Sequence, residues 1–194
     1  MKSKIKNKAR AVLEPFAGAL ANAGITPNHI TIAGLLFSVV AGIAAAGGYF
    51  GWAFVALLTG GVCDMLDGAV ARSHGLESRF GAHLDSSVDR LAEGALFGGL
   101  IVYFHNQDQV LYILLSFLAF TGSFLVSYTR ARAEGLGIDC SVGIMERPER
   151  MVILLLAAIF GGPGFRIALW ILTPLVFYTS WQRMRHVYDA DRPS

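Results

Sequence analysis

Five acidic residues stand inside apolar stretches of this 194-residue chain: Asp64, Asp67, Asp85, Asp89 and Glu93, with Arg90 the one base among them. A charge at membrane depth costs about 3 kcal/mol even on the mildest scales. A single Arg90 cannot neutralise five acids, so a set of ion pairs alone does not account for them. Their spacing points to a metal. Asp64 and Asp67 are i,i+3 and Asp85 and Asp89 are i,i+4, so on helices each pair shares a face. The linker from Gly68 to Leu84 is short enough to make the two helices antiparallel neighbours, which brings four carboxylates together near one end. Oxygen-only donors suit hard cations, Mg²⁺ above all, with Mn²⁺ or Ca²⁺ possible, and four carboxylates can hold two ions. Carboxylate-bound Mg²⁺ commonly completes its shell with substrate phosphates. Gly68 and Gly81 remove side chains beside the acids, which opens the backbone to a phosphate, and Arg72 stands about one turn beyond Asp67. Close helix packing explains the glycines equally well one by one, and Arg72 alone reads as an interfacial anchor; it is their company with four acids that favours a phosphate site. Cys63 and Cys140 read as unpaired thiols, and no His or Cys lies at zinc-like spacing.

The elements that must position these acids follow from composition. Hydrophobic residues make up 54% of the chain and charged residues 15%, where about 25% is usual for a soluble domain. Such a chain cannot cover itself with charge in water. Disorder is excluded by the same figures, a disulfide scaffold by two cysteines, and a nucleic-acid binder by a net charge of +2. The expectation is an all-α integral membrane protein forming a single domain over residues 1–194. Six transmembrane helices are expected, at about Asn28–Phe50, Trp52–Arg72, Ala82–Phe104, Val110–Tyr128, Met151–Phe160 and Phe165–Trp181. The fifth apolar run is short, so its helix is expected to begin in the charged stretch Glu146–Arg150. Ahead of the first span, Val12, Leu13, Phe16, Leu20 and Ala23 recur at helical spacing behind a basic start. Residues 1–24 therefore read as an amphipathic helix on the membrane surface. Gly24 ends it, and Thr26-Pro27-Asn28 opens the first span. Of the sixteen Lys and Arg, fourteen fall in the N-terminal segment, the turns after spans two and four, and the tail. Only Arg166 lies on the other side and Arg90 within a span. The positive-inside rule then puts both termini and the acid-bearing end in the cytoplasm, in a multi-pass protein of the cell membrane.

Around the acids the residues read Asp64-x-x-Asp67-Gly68-x-x-Ala71-Arg72, eight residues, then Gly81-x-x-x-Asp85-x-x-x-Asp89. This pattern resembles the signature of the CDP-alcohol phosphatidyltransferase family, and Pro27-Asn28-x-x-Thr31 resembles the family's first span. The resemblance implies an enzyme that moves a phosphatidyl-type group from a CDP-activated lipid to an alcohol and releases CMP. It implies a metal pair on Asp64, Asp67, Asp85 and Asp89, with Asp89 also the candidate general base. It places Gly68, Ala71, Arg72 and, with them, Thr31, Asp67 and Gly81 at the CDP-lipid. Family members are often homodimers, so it implies a homodimer too.

The acceptor is read from basic residues. Arg130 and Arg132 follow span four, Arg147 and Arg150 lie in Glu146-Arg147-Pro148-Glu149-Arg150, and Arg183 is in the tail. Clustered arginines bind phosphate through charge-assisted, bidentate hydrogen bonds, which predicts a phosphorylated acceptor; as topogenic anchors they would face lipid phosphates instead. The Arg-Ala-Arg-Ala-Glu and Glu-Arg-Pro-Glu-Arg segments resemble the phosphatidylinositol-phosphate synthase branch. That resemblance implies inositol 1-phosphate as acceptor, CDP-diacylglycerol or CDP-archaeol as donor, and Arg130, Arg132, Arg147, Arg150 and Arg183 as acceptor-phosphate ligands. The branch often has Lys where this chain has Arg130. Glycerol 3-phosphate, serine or a preformed phosphoinositide are the alternative acceptors, and a divalent cation transporter is the alternative of a different class.

Overall fold

The computed structural model describes residues 16–191. The apolar runs fold as helices: α1 Pro27–Ala46, α2 Phe50–Ser73, α3 Arg79–His105, α4 Val110–Glu134 and α5 Arg147–Ala190, with no strand among the described residues. Residues 16–22 form a helical segment ahead of α1. The rest of the expected surface helix, residues 1–15, and Arg192 of the tail lie outside the described residues.

Among the described residues, α1, α2, α4 and α5 are long and apolar enough to cross a membrane. α3 has the length, at 27 residues, but Asp85, Asp89, Arg90 and Glu93 dilute its hydropathy. α5 is 44 residues long, about 66 Å at 1.5 Å per residue against a hydrocarbon core of about 30 Å. It is interrupted at Gly161, whose φ of 66° and ψ of −145° are not helical. Pro163 follows two residues later and has no N–H to give a helix interior. The expected fifth and sixth spans fall on either side of this break. The expectation that the fifth helix starts in its charged stretch also holds: α5 begins at Arg147, with Pro148 in its first turn.

The helix ends near the acids are set by local chemistry. Thr26 stands just outside α1, and its N–H donates to His29 Nδ1 at 3.4 Å, the backward half of a capping box. α2 closes with a Schellman bond from Leu76 N–H to the Ala71 carbonyl at 2.9 Å. Gly75 supplies the left-handed residue this needs, at φ 64°. Ser78 then caps α3, its Oγ accepting the Gly81 N–H at 2.9 Å. That cap starts α3 three residues before the expected Ala82.

The chain divides into two compact units. One comprises the described residues up to Ala41 together with Val55–Leu96. Its core includes Ala17, Ile30, Ala69 and Val70, with Leu20, Ile25, Cys63 and Leu66 packed against them. The other comprises Gly42–Phe54 and the described residues from Phe97 onward. There Leu100, Phe104, Phe165, Leu169 and Leu172 are fully buried. Phe50 meets Tyr103 edge-on at 4.9 Å, and Phe104 stacks on Tyr112 at 5.1 Å. Many large apolar side chains stay exposed on the helices, among them Leu36, Ile43, Phe117, Phe160 and Ile167. A water-facing monomer rarely shows so much; helices facing lipid do.

In the second unit α1 and α3 touch through glycine, because a Cβ on Gly99 would collide with the Gly42 carbonyl. Neither backbone can yield cheaply. Gly99→Ala is expected to destabilise the protein by about 1–3 kcal/mol, whereas Gly98→Ala, which meets nothing within 4 Å, is expected to be neutral. Thermal unfolding of the two variants in detergent checks the difference.

Candidate active site

The C-terminal part of α2 and the N-terminal part of α3 carry the signature. One carboxylate oxygen from each of Asp64, Asp85 and Asp89 lies within 4.8 Å of the others, and all three residues are half-buried. The pairing across helices expected from the i,i+3 and i,i+4 spacings is thus present for three of the four. Arg90 Nη1 lies 3.7 Å from Asp89 Oδ2 and also donates to the Ser86 carbonyl. Three carboxylates gathered this closely repel one another, which favours a cation among them. A hard cation with bonds of about 2.1 Å keeps its oxygens within about 4 Å of one another, so small rotations close this triad on an ion. The donor set fits Mg²⁺ or Mn²⁺ and offers nothing to a soft metal.

Asp67 stands outside that triad. It is buried, and its Oδ2 accepts from the Thr31 hydroxyl at 2.6 Å, linking α2 to the first turns of α1. With Asp85 it lines a cavity of about 350 Å³ whose wall also includes Thr31, Gly68, Ala71, Arg72 and Gly81. Every residue that the family resemblance placed at the CDP-lipid therefore faces one cavity. The guanidinium of Arg72 lies against Gly68, its Nη1 3.0 Å from where a Cβ would be. A side chain at position 68 would displace it. The N-termini of α1, at Pro27 and Asn28, and of α3, at Ser78 and Gly81, both open on this cavity. Two helix starts present the positive ends of their dipoles, which favour a phosphate. Thr26, Leu76, Glu77, Ser78 and Ala82 complete the lining and were not anticipated. A serine three residues before Gly81 was the signal for Ser78, as an N-cap.

The five arginines lie in the second unit. Arg130 and Arg132 are exposed on the last turns of α4. Arg130 Nε donates to Glu134 Oε1 at 2.8 Å. Arg147 is half-buried at the start of α5. Arg150 is 1% exposed and its Nη1 donates to the Met145 carbonyl at 3.3 Å. Arg183 is 2% exposed; its Nε donates to the Val142 carbonyl at 2.8 Å and its Nη1 to the Val126 carbonyl at 2.6 Å. Its Nη2 faces Glu146 Oε1 at 3.7 Å. Arg150 and Arg183 are thus engaged with the loop between α4 and α5. Two further side chains on α5 join them. Thr179 Oγ1 accepts the Met145 N–H at 3.1 Å, and His186 Nε2 lies 2.9 Å from the Asp139 carbonyl. Thr179, Arg183 and His186 are spaced i, i+4, i+7, so one stripe of α5 fastens the loop over residues 139–146. Thr179 and His186 escaped notice in the sequence; polar residues at that period in an apolar helix were the signal.

Comparison with known proteins matches residues 24–181 to the CDP-alcohol phosphatidyltransferase family. The chain is 39% identical over 184 residues to a phosphatidylinositol phosphate synthase of Mycobacteroides abscessus, covering 91% of this chain and 83% of that protein. It is 37% identical over 201 residues to the phosphatidylinositol phosphate synthase of Streptomyces avermitilis, covering 94% and 82%. Its fold is similar to the crystal structure of Mycobacterium tuberculosis phosphatidylinositol phosphate synthase with CDP-DAG bound, at a TM-score of 0.84 and 33% identity, covering 95% of this chain and 99% of that one. The same enzyme in complex with manganese and citrate gives a TM-score of 0.84 at 32% identity, covering 94% and 93%.

Proposed function

Since this chain belongs to the CDP-alcohol phosphatidyltransferase family, and is on that ground a transferase, we propose that it moves the phosphatidyl group of CDP-diacylglycerol to inositol 1-phosphate, giving phosphatidylinositol phosphate and CMP. The observation that carries the reading is the Asp64–Asp85–Asp89 triad beside a cavity lined by Asp67, Gly68, Ala71 and Arg72. A transporter would need acids spread along a path to both faces, and the family membership leaves that alternative without support.

In the proposed reaction Arg72 and the two helix N-termini hold the donor's pyrophosphate, and Gly68 leaves the space in which the Arg72 guanidinium lies. Asp64, Asp67, Asp85 and Asp89 would hold a divalent pair, Mg²⁺ by preference, which lowers the cost of the charge that builds on the pyrophosphate as CMP leaves. The acceptor's hydroxyl oxygen attacks the phosphorus that carries diacylglycerol. The bond from that phosphorus to the bridging oxygen breaks, and CMP departs with the electron pair. Asp89 takes the hydroxyl proton as attack proceeds. We assign the acceptor's phosphate to Arg130, Arg132, Arg147, Arg150 and Arg183. The names of the relatives support inositol 1-phosphate, and the CDP-DAG in the mycobacterial structure supports diacylglycerol over archaeol. The setting we propose is six spans, with both termini and the acids on the cytoplasmic side of the cell membrane, in a homodimer.

The acceptor is tested by CMP release from CDP-diacylglycerol with inositol 1-phosphate, inositol, glycerol 3-phosphate or serine. Release is expected with inositol 1-phosphate and at background with inositol and serine. Turnover with serine and none with inositol 1-phosphate overturns the acceptor and leaves the family assignment standing.

A further inference from the structure

We propose that Thr31 is a positioning residue for Asp67, acting on the cation site through that carboxylate rather than by touching the nucleotide. The proposal rests on the reading above that the aspartates hold the cation. The Thr31 hydroxyl lies 2.6 Å from Asp67 Oδ2 and 3.0 Å from the Pro27 carbonyl, and it has one proton to give. A hydroxyl–carboxylate bond at 2.5–2.7 Å is charge-assisted and roughly twice as strong as a neutral one, so the proton goes to Asp67. Both residues are buried, at 6% exposed. In a helix threonine divides between two χ1 rotamers, and the Asp67 carboxylate at 2.6 Å with the Pro27 carbonyl at 3.0 Å selects one of them before any ligand arrives.

The consequence concerns orientation. An aspartate on a helix turns about two bonds, and a carboxylate that must meet a cation gains affinity when one of its oxygens is already tied. Hydrogen bonds of this kind to metal-binding carboxylates change affinity by about 10–100-fold when removed. With its proton committed to Asp67, Thr31 has none to offer a nucleotide phosphate. The family resemblance had placed Thr31 at the CDP-lipid. The geometry turns its hydroxyl to Asp67, which shares the cavity wall with it.

Mn²⁺ binding to the purified protein, followed by the free-ion EPR signal without substrate, tests this together with CMP release measured against Mn²⁺ and against donor. Thr31→Val keeps the shape and removes the hydroxyl; Thr31→Ser keeps the hydroxyl. Thr31→Val is expected to weaken Mn²⁺ binding by about tenfold or more, with the donor KM unchanged at saturating Mn²⁺ and near-normal binding in Thr31→Ser. Wild-type Mn²⁺ affinity in Thr31→Val with a raised donor KM overturns the proposal and returns Thr31 to the nucleotide. Thr31→Ala, scored the same way, covers the case in which valine unsettles α1. Asp85→Asn separates the two levels: if it leaves Mn²⁺ binding intact, the cation reading itself fails, whatever Thr31 does.

Discussion

Asp89→Asn is expected to lower CMP release by about 10²–10⁴-fold, the usual contribution of a positioned general base. Asparagine has the same shape, so the loss is chemical. The amide cannot take the acceptor's proton, and it withdraws one of the three carboxylate charges gathered within 4.8 Å. Arg90, 3.7 Å from Asp89, keeps its bond to the Ser86 carbonyl. In the metal-free protein the substitution relieves repulsion between like charges, so its unfolding temperature should be no lower than that of the wild type. A variant that unfolds early tells against this local account, and one that retains activity within tenfold removes Asp89 from the role of base.

Arg183→Ala is expected to be the most damaging change in the second unit, at about 3–5 kcal/mol for the loss of a buried charged partner. It strips the Val142 carbonyl of its donor, takes one of two side-chain donors from the Val126 carbonyl, which keeps the Thr129 hydroxyl at 3.0 Å, and leaves Glu146 without its facing cation. A carbonyl buried without a partner costs free energy that the unfolded chain does not bear. Arg183→Lys keeps the charge but cannot span three directions with one ammonium, so it should recover only part of the loss. The readouts are thermal unfolding and the rate of proteolysis within residues 139–146, both of which should rise in sensitivity together. Unchanged unfolding in Arg183→Ala would show that the loop is held by other contacts. Loss of activity with inositol 1-phosphate at normal stability would instead identify Arg183 with acceptor binding alone.

What could be read from the sequence is what local geometry encodes. The spacings of Asp64 with Asp67 and of Asp85 with Asp89 are helix periods, and helix faces follow from them without knowledge of the fold. Gly24 before α1 and Glu146 before α5 mark boundaries for the same reason. Convergence is a tertiary matter. Three carboxylates meet as the spacing predicts, but Asp67 is turned toward a hydroxyl 36 positions away, a pairing no periodicity announces. The arginines show the same limit from the other side. Their charge suggested a phosphate, yet Arg150 and Arg183 spend donors on backbone carbonyls, and carbonyls leave no trace in a sequence. The break in α5 was legible as two separate apolar runs, while the positive φ of Gly161 that makes it was hidden among 22 glycines.

The central claim is a transfer, so the most direct measurement counts both products. Purified protein in bilayers, given CDP-diacylglycerol, inositol 1-phosphate and Mg²⁺, is assayed for CMP and, by mass spectrometry, for lipid. The expected result is one CMP per molecule of phosphatidylinositol phosphate, with both phosphates retained in the lipid and neither product formed after chelation of the metal. CMP without a new lipid, or a lipid formed at full rate in chelator, would contradict the account.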